Sequence, residues 1–395
     1  MSSQKEVVII GAGVIGCSIA YHLAKQGVPS QVIERDAIAA RASGKSWAIF
    51  DYPPYLSTAE GTGLNQVIAR PEGSIKSWIE LFWLGYHRLP DVALELRERG
   101  GVDIGYGGLP FITVALSESG ESSCRQAFFS MRKAGYYEGS WLEVGDLQAI
   151  FSDINPQVRG GLCLPCFQVE PYEYTLGLAQ AAEKMGASFR QGDVVGFSHK
   201  GPSITSVVLA SGTKVEADVV VLAMGPWSGQ GASWLGEEIP IEVHQEQCLR
   251  VEVPERLPNY GFWSSRGAII PKVNGTVILH GFKDWPHLQP EFDSSLTEEA
   301  KTAAMAAGIS LLPRLEEAKI VEHRGDLEGW APNRMQPVLG RLPELDNAYI
   351  AARMGTFGMM LSLGVGQVMA DLIIAGGRVP DRITTMMEFL SPANL

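Results

Sequence analysis

Six residues near the N-terminus carry the most specific chemistry in the chain. Gly11, Ala12, Gly13, Val14, Ile15 and Gly16 follow directly on Val7, Val8, Ile9 and Ile10. An unbroken run of β-branched residues marks a strand buried on both faces. Beyond Gly16 the apolar residues Ile19, Ala20, Leu23 and Ala24 fall at helical spacing, and Gly27 ends that helix. Gln31, Val32, Ile33 and Glu34 then form a second strand, with Glu34 lying 18 residues beyond Gly16. Strand, glycine-rich turn, helix and strand make one βαβ unit suited to a dinucleotide. Gly11 permits the tight turn, Gly13 lets a pyrophosphate reach the backbone, and Gly16 lets helix and strand pack closely. The helix N-terminus offers free N–H groups and the positive end of its dipole. Glu34 can accept both hydroxyls of an adenine ribose, and its charge disfavours the 2′-phosphate of NADP. The motif alone does not separate NAD from FAD, and its bland reading is a packing turn without a ligand.

The elements around this unit follow from periodicity. Residues 74–99 read as a helix pair broken near Pro90, 110–116 as a strand, and 172–185 as a helix leading into a strand from Gly186. Residues 204–209 and 213–215 form a hairpin around Ser211 and Gly212, followed by a buried run at 217–222. Alternation at 242–253, 267–271 and 276–281 predicts a separate antiparallel sheet. A helix over 297–312, a strand over 348–352 and a helix over 363–375 complete the chain. No repeat and no linker interrupts it, so the domains are interleaved rather than consecutive.

The length of 395 residues implies two domains. A net charge of −12 argues against nucleic acid or an anionic membrane as the main partner. The five cysteines are scattered, as reduced thiols are, and the lone Cys163-Leu-Pro-Cys166 has no second pair to complete a metal site. No metal is expected. The apolar N-terminus lacks a positive leader and is broken by glycines, while the apolar stretch 348–376 contains Arg353 and Asp371. The expectation is a soluble, cytoplasmic protein without an integral membrane segment.

Five segments resemble the D-amino acid oxidase superfamily, which includes glycine oxidase, sarcosine oxidase and several amino-acid dehydrogenases. They are VVIIGAGVIGCSIAYHLAKQG with VIERD; Ala42-Ser43-Gly44-Lys45-Ser46-Trp47-Ala48; Val169-Glu170-Pro171; VVVLAMGPWS; and Gly358-Met359-Met360-Leu361-Ser362 with Gly364-Val365-Gly366. They span nearly the whole chain in the family's order. The resemblance implies an α/β (α+β overall) architecture, with a Rossmann-like FAD-binding domain interleaved with a substrate domain on an antiparallel sheet. It assigns 1–85, 145–235 and 325–395 to the FAD domain, and 86–144 and 236–324 to the substrate domain. It implies FAD contacts from Gly11, Ala12, Gly13, Val14, Ile15 and Gly16, then from Glu34, Arg35, Arg41, Ala42, Ser43, Ser46, Trp47 and Ala48. Further contacts fall to Val194, Val195, Ala223, Met224, Gly225 and Trp227, and to Gly355, Thr356, Phe357, Gly358, Met359 and Met360.

The same resemblance implies oxidation of a small amine or amino acid, with hydride passing from the carbon bearing the amine to the flavin. The imine product then hydrolyses. The family's carboxylate-binding cation is missing at two places, where Ala331 and Met360 stand, and a new cation appears at Arg353. Arg353 either takes over substrate binding or makes a structural contact at a strand end. His280 and His244 are the other catalytic candidates, with Gln247, Trp263 and Lys283 beside them. No cysteine occurs in 329–335 and no histidine in 41–48, so the FAD is expected to be non-covalent. Ile278 stands where some relatives carry an oxygen-activating lysine, which tilts the acceptor from O2 toward another carrier. The rival readings are an NAD-dependent dehydrogenase and a flavin-binding subunit of a larger complex.

Overall fold

The computed structural model describes residues 6–52, 73–281, 287–289, 291–332 and 337–395. Its first layer is a six-stranded sheet in the order Val338–Arg341, Ala348–Ala352, Val219–Leu222, Val7–Ile10, Ser30–Glu34, Ser188–Gln191. All neighbours are parallel except the edge strand Val338–Arg341. Both faces are covered, which explains the unbroken apolar run at Val7–Ile10. Val7 and Ile9 pack with Ile19, Leu23, Leu363 and Val368, whereas Val8 and Ile10 pack with Val207, Leu209 and Leu235. The hairpin strand Ser203–Leu209 belongs to a three-stranded antiparallel sheet with Val194–Lys200 and Lys214–Glu216, as the turn at Gly212 predicts.

On the other face the helix Val14–Lys25 meets the last long helix, Gly358–Ile374, at very short range. A Cβ on Gly366 would lie 2.3 Å from Ser18 Oγ, which itself donates to the Ser362 carbonyl at 2.8 Å. The segment Gly355–Ile374 has the length and apolarity to cross a membrane, but 72% of its most apolar window is buried inside the fold. It is covered by the helix Gly73–Glu95, where a Cβ on Gly364 would come within 2.3 Å of the Leu81 carbonyl. This corrects the expected break at Pro90, because the helix runs through that proline. Pro90 removes one backbone donor, yet Leu81, Phe82 and Leu89 are buried along one side and that packing holds the helix together. It gives way only at Leu96–Gly100, a wider π-helical turn closed by Gly101 in a left-handed conformation.

The second layer is a ten-stranded mixed sheet. Its path runs from His287–Leu288 through Glu242–Glu252, Val277–Gly281, Gly267–Pro271, Gly261–Ser264, Gly107–Val114 and Gly161–Gln168 to Ile49–Phe50. The long strand Lys319–Trp330 pairs antiparallel with Glu242–Glu252 along its whole length, and Ser140–Leu142 pairs with Gly161–Gln168. The strands alternating at 242–253, 267–271 and 276–281 are antiparallel neighbours, as expected. Gly161–Gln168 lies inside the span 145–235 given to the FAD domain, but it pairs with Gly107–Val114 over eight residues and so belongs to this sheet.

Candidate cofactor and active site

The carboxyl end of Val7–Ile10 is where the chain can open a cleft, because strand order reverses there between Val219–Leu222 and Ser30–Glu34. A cavity of about 350 Å3 occupies that place. Gly11 turns with a left-handed φ of 105°, and a Cβ there would sit 2.4 Å from the Ala223 carbonyl. Gly13 precedes the helix Val14–Lys25 as its cap, and neither a side chain of its own nor an acidic residue occupies that first turn. The helix Gly358–Ile374 also begins without a side-chain cap or an acid. Both N-termini line the cavity, so two positive dipole ends converge on it. Ser43 Oγ accepts the Val14 N–H at 2.9 Å and closes the floor between them.

Glu34 lines the far end of the cavity. Its Oε2 accepts the Ala12 N–H at 2.8 Å and its Oε1 accepts the Asp36 N–H at 2.9 Å. Each carboxylate oxygen keeps a lone pair for a ribose hydroxyl. Arg35 lies over the Trp227 ring at 4.1 Å, Arg41 pairs with Asp36 at 2.7 Å, and Val194 and Val195 supply an apolar wall. Gly192, Asp193, Gln230 and Trp234 join this wall and were not expected from sequence. No local pattern marks them, since only the pairing of distant strands brings them in.

Of the expected cofactor contacts, Gly11, Gly13, Val14, Ile15, Glu34, Arg35, Arg41, Ala42, Ser43, Val194, Val195, Ala223, Met224, Gly225, Trp227, Gly355 and Gly358 line this cavity. Ser46, Trp47, Thr356 and Met359 line a second cavity of about 70 Å3, which shares Val14, Ala42, Ser43, Gly355 and Gly358 with the first. Phe357 faces a small space beside Trp330 and Arg353. Ala12, Gly16, Ala48 and Met360 line none of these. The Ala12 N–H is taken by Glu34, and a Cβ on Gly16 would lie 1.9 Å from the Gly11 carbonyl, so both hold the turn itself. Ala48 sits in a left-handed conformation with φ 55°, and Met360 Sδ receives the Asp51 N–H at 3.5 Å.

The loop between the cavities is held from the second sheet. Cys248 Sγ donates to the Lys45 carbonyl at 3.8 Å, Arg324 to that of Ser46 at 2.9 Å, and Lys272 to that of Trp47 at 3.0 Å. The Val169 N–H takes the Ala48 carbonyl at 3.1 Å. Four successive carbonyls are thus gripped, two of them by buried cations. Burial lowers the Lys272 ammonium to about 7.

Arg353 lines the large cavity, but its Nε donates to the Pro240 carbonyl at 2.6 Å, and its φ of 61° turns the chain out of Ala348–Ala352. His280 is 1% exposed and packs tilted against Trp47 at 4.5 Å between ring centres, and burial pushes its imidazole down to about 3. It is therefore neutral at physiological pH and takes up no proton there. His244 lies 3.4 Å from Glu242 and beside the Trp330 ring, outside the lining of both main cavities. Trp263 packs on Trp47, while Gln247 points to the opposite face and accepts the Thr297 N–H. Lys283 lies outside the described residues.

The acids that do line the second cavity are Glu246, Asp326 and Glu328. Lys45 pairs with Asp326 at 2.6 Å. Glu246 Oε2 accepts from Thr356 at 2.8 Å, and Glu328 Oε2 accepts the Trp330 indole N–H at 3.2 Å. Burial raises both carboxyls above the ordinary range, and Glu246 further opposes ionisation of Glu328.

A family model described as FAD-dependent oxidoreductase matches residues 6–372. The chain belongs to the FAD-dependent oxidoreductase family. Among curated relatives of this FAD-dependent oxidoreductase, glycine oxidase of Bacillus licheniformis is 27% identical over 387 residues, covering 95% of this chain and 94% of that one. D-amino acid dehydrogenase of Xanthobacter autotrophicus is 25% identical over 430 residues, covering 95% and 96%. The crystal structure of glycine oxidase from Geobacillus kaustophilus superposes with a TM-score of 0.83 at 21% identity, covering 97% and 98% of the two chains. The fold is thus that of glycine-oxidase-type flavoenzymes, with its Rossmann-like layer. The protein is an FAD-dependent oxidoreductase. The cavity fits that cofactor, because a glycine cradle that a Cβ would fill, two uncapped helix ends and a ribose-facing carboxylate meet there.

Proposed function

We propose that this enzyme oxidises the C–N bond of a small amine or amino acid to an imine, which leaves the site and hydrolyses to a carbonyl compound and an amine. The observation that carries this reading is the continuity of the two cavities across Ser43, Gly355 and Gly358. The dinucleotide cradle opens directly into a space walled by the second sheet. When bound, FAD supplies the two-electron acceptor for the hydride on the carbon that bears the amine. The Gly11–Gly16 turn and the Val14 helix end hold its pyrophosphate, and Glu34 holds its ribose. The gripped loop from Lys45 to Ala48 fixes Trp47 as one wall of the substrate space, with Trp263 and His280 packed at a tilt against it. Arg353, committed to the Pro240 carbonyl, acts as an anchor between the two sheets.

Attachment of the cofactor is non-covalent in this reading, since 329–335 contain no cysteine and 41–48 no histidine. Precipitation with acid should release all the yellow colour into the supernatant, and flavin retained on the pellet would refute it. The reaction itself is tested by adding amines and amino acids to the FAD-loaded protein under nitrogen. Bleaching of the flavin band with one of them supports the proposal, and readmitted oxygen then separates an oxidase from a dehydrogenase. A fully loaded protein that bleaches with none of them would overturn it.

A further inference from the structure

Two helix N-termini line the cofactor cavity, and a buried chain of hydroxyl groups joins those helices one turn further in. Ser18 lies one turn into Val14–Lys25, and Ser362 one turn into Gly358–Ile374. Ser18 Oγ donates to the Ser362 carbonyl at 2.8 Å. Ser362 Oγ donates its one proton to the Met359 carbonyl at 2.7 Å, so the Tyr174 hydroxyl, 2.9 Å away, donates to Ser362 Oγ. The Ser18 carbonyl in turn accepts the His22 Nδ1–H at 2.8 Å. Ser18, Ser362 and Tyr174 are fully buried and His22 nearly so. The helices are close enough that a Cβ on Gly366 would lie 2.7 Å from His22 Nδ1. Tyr174 comes from a third helix, Pro171–Lys184, and its ring meets Phe50 edge-on at 5.7 Å, just beyond the gripped loop. Gly358 lines both cavities and Met359 the smaller one, so the hydroxyl chain ends on the turn that faces the cofactor.

We propose that Ser18, Ser362 and Tyr174 are positioning residues for the bound FAD: their hydroxyls fix the two helix ends against one another and so set the flavin's reduction potential. Around them Ile19, Leu23, Leu363 and Val365 offer apolar contacts, which have no preferred direction. Replacing buried polar groups by apolar groups of the same shape costs little stability, whereas a fully satisfied network specifies one arrangement. The hydroxyl chain therefore sets register more than it adds stability. Register matters here because a helix dipole acts mainly over its first turn. With the ribose at Glu34 and the pyrophosphate at the Gly11–Gly16 turn, the flavin ring falls at the start of Gly358–Ile374, where Met359 lines the cavity that Glu34 does not reach. Reduction adds negative charge to the ring, so a positive helix end held close favours the reduced form. The inference needs the bound FAD alone and holds whatever the substrate is.

The test measures the reduction potential of the FAD-loaded protein, by slow reduction under nitrogen beside a reference dye and with no amine present. Tyr174→Phe keeps the ring and removes the donor, and Ser18→Ala removes the link between the helices. Each should lower the potential by about 20 mV or more, a fivefold fall in the preference for reduced over oxidised FAD. Thr175→Val is the control. Thr175 is equally buried on the same helix as Tyr174, but its hydroxyl donates to the Pro171 carbonyl at 3.0 Å, away from the cofactor turn. This variant should lower the melting temperature and keep the wild-type potential. Should Ser18→Ala fail to hold FAD, Tyr174→Phe decides alone, since it leaves the packing of the ring in place. Unchanged potentials in Tyr174→Phe and Ser18→Ala would overturn the proposal. So would an equal shift in Thr175→Val, which would show that the potential follows any loosening of the core. Neither result touches the amine-oxidation reading, which stands or falls on bleaching by amines.

Discussion

Glu34 links the cofactor cradle to itself before any ligand arrives. Its two oxygens take the backbone N–H groups of Ala12 and Asp36, which fixes the carboxylate at the mouth of the glycine turn. Charge-assisted bonds of this kind contribute about 1.5–3 kcal/mol each. Glu34→Ala should therefore weaken FAD binding at least tenfold, measured by flavin fluorescence during titration of the apoprotein. His280 sets a different expectation. Its folded value near 3 lies below the ordinary 6.5, so the unfolded chain takes up a proton between those limits while the folded chain does not. Stability from this residue is complete above pH 6.5 and is lost as pH falls toward 3. His280→Phe should flatten the acid limb of a plot of melting temperature against pH, and an unchanged slope would show that another group sets it. Glu34 was legible in the sequence because its spacing from Gly16 is local. Glu246 was not, and the miss is one of parity. His244 and Gln247 cannot face the same side of a strand, and the alternation from His244 leads to Glu246. Glu328 has no such local signal, since only the pairing of two strands some eighty residues apart puts it beside Glu246.

At the level of elements, the helix Val14–Lys25 and the loop from Lys45 to Ala48 decide whether the cradle forms. Gly16→Ala would push a methyl into the Gly11 carbonyl, and overpacking of that sort costs about 1–3 kcal/mol. A lower melting temperature together with lost FAD is expected, and a variant that keeps both would contradict the packing argument. Lys272 gives the loop a pH signature. The buried ammonium, lowered to about 7, carries its full desolvation cost below that pH, where folded and unfolded chains are both charged. Between pH 7 and the ordinary value of 10.5 the unfolded chain holds the extra proton, so stability rises with pH across that window. Lys272→Met should remove the rise in melting temperature between pH 7 and 9. The periodicity of 74–99 predicted two helices, and the proline rule behind that break was overridden by the apolar side packed under Gly358–Ile374. The strand Glu242–Glu252 was legible from its alternation because one face packs in the core and the other carries Glu246 and Cys248 to the cavity, whereas Gly267–Pro271 and Val277–Gly281 are packed on both faces.

At the scale of the whole molecule, the six-stranded sheet gathers strands from the beginning, middle and end of the chain, and the mixed sheet is threaded through the gaps between them. Interleaving was foreseeable from the lack of a linker. The membership of Gly161–Gln168 was not, because a strand bears no mark of which sheet it will join, and the register with Gly107–Val114 alone places it. The arrangement has a functional consequence. The cofactor cradle is built by one layer, its loop is gripped by the other, and the substrate space lies where they meet. Loosening either layer should therefore release flavin before the chain unfolds, seen as a fluorescence rise ahead of the change in circular dichroism on heating. Simultaneous transitions would show the two layers to be one cooperative unit.

Whether the FAD-loaded cavity breaks a C–N bond is decided by a single-turnover count. One equivalent of an amine that bleaches the flavin is added under nitrogen, and the carbonyl compound released is quantified against flavin reduced. One carbonyl per flavin is expected. Flavin reduced without a matching carbonyl product would contradict it.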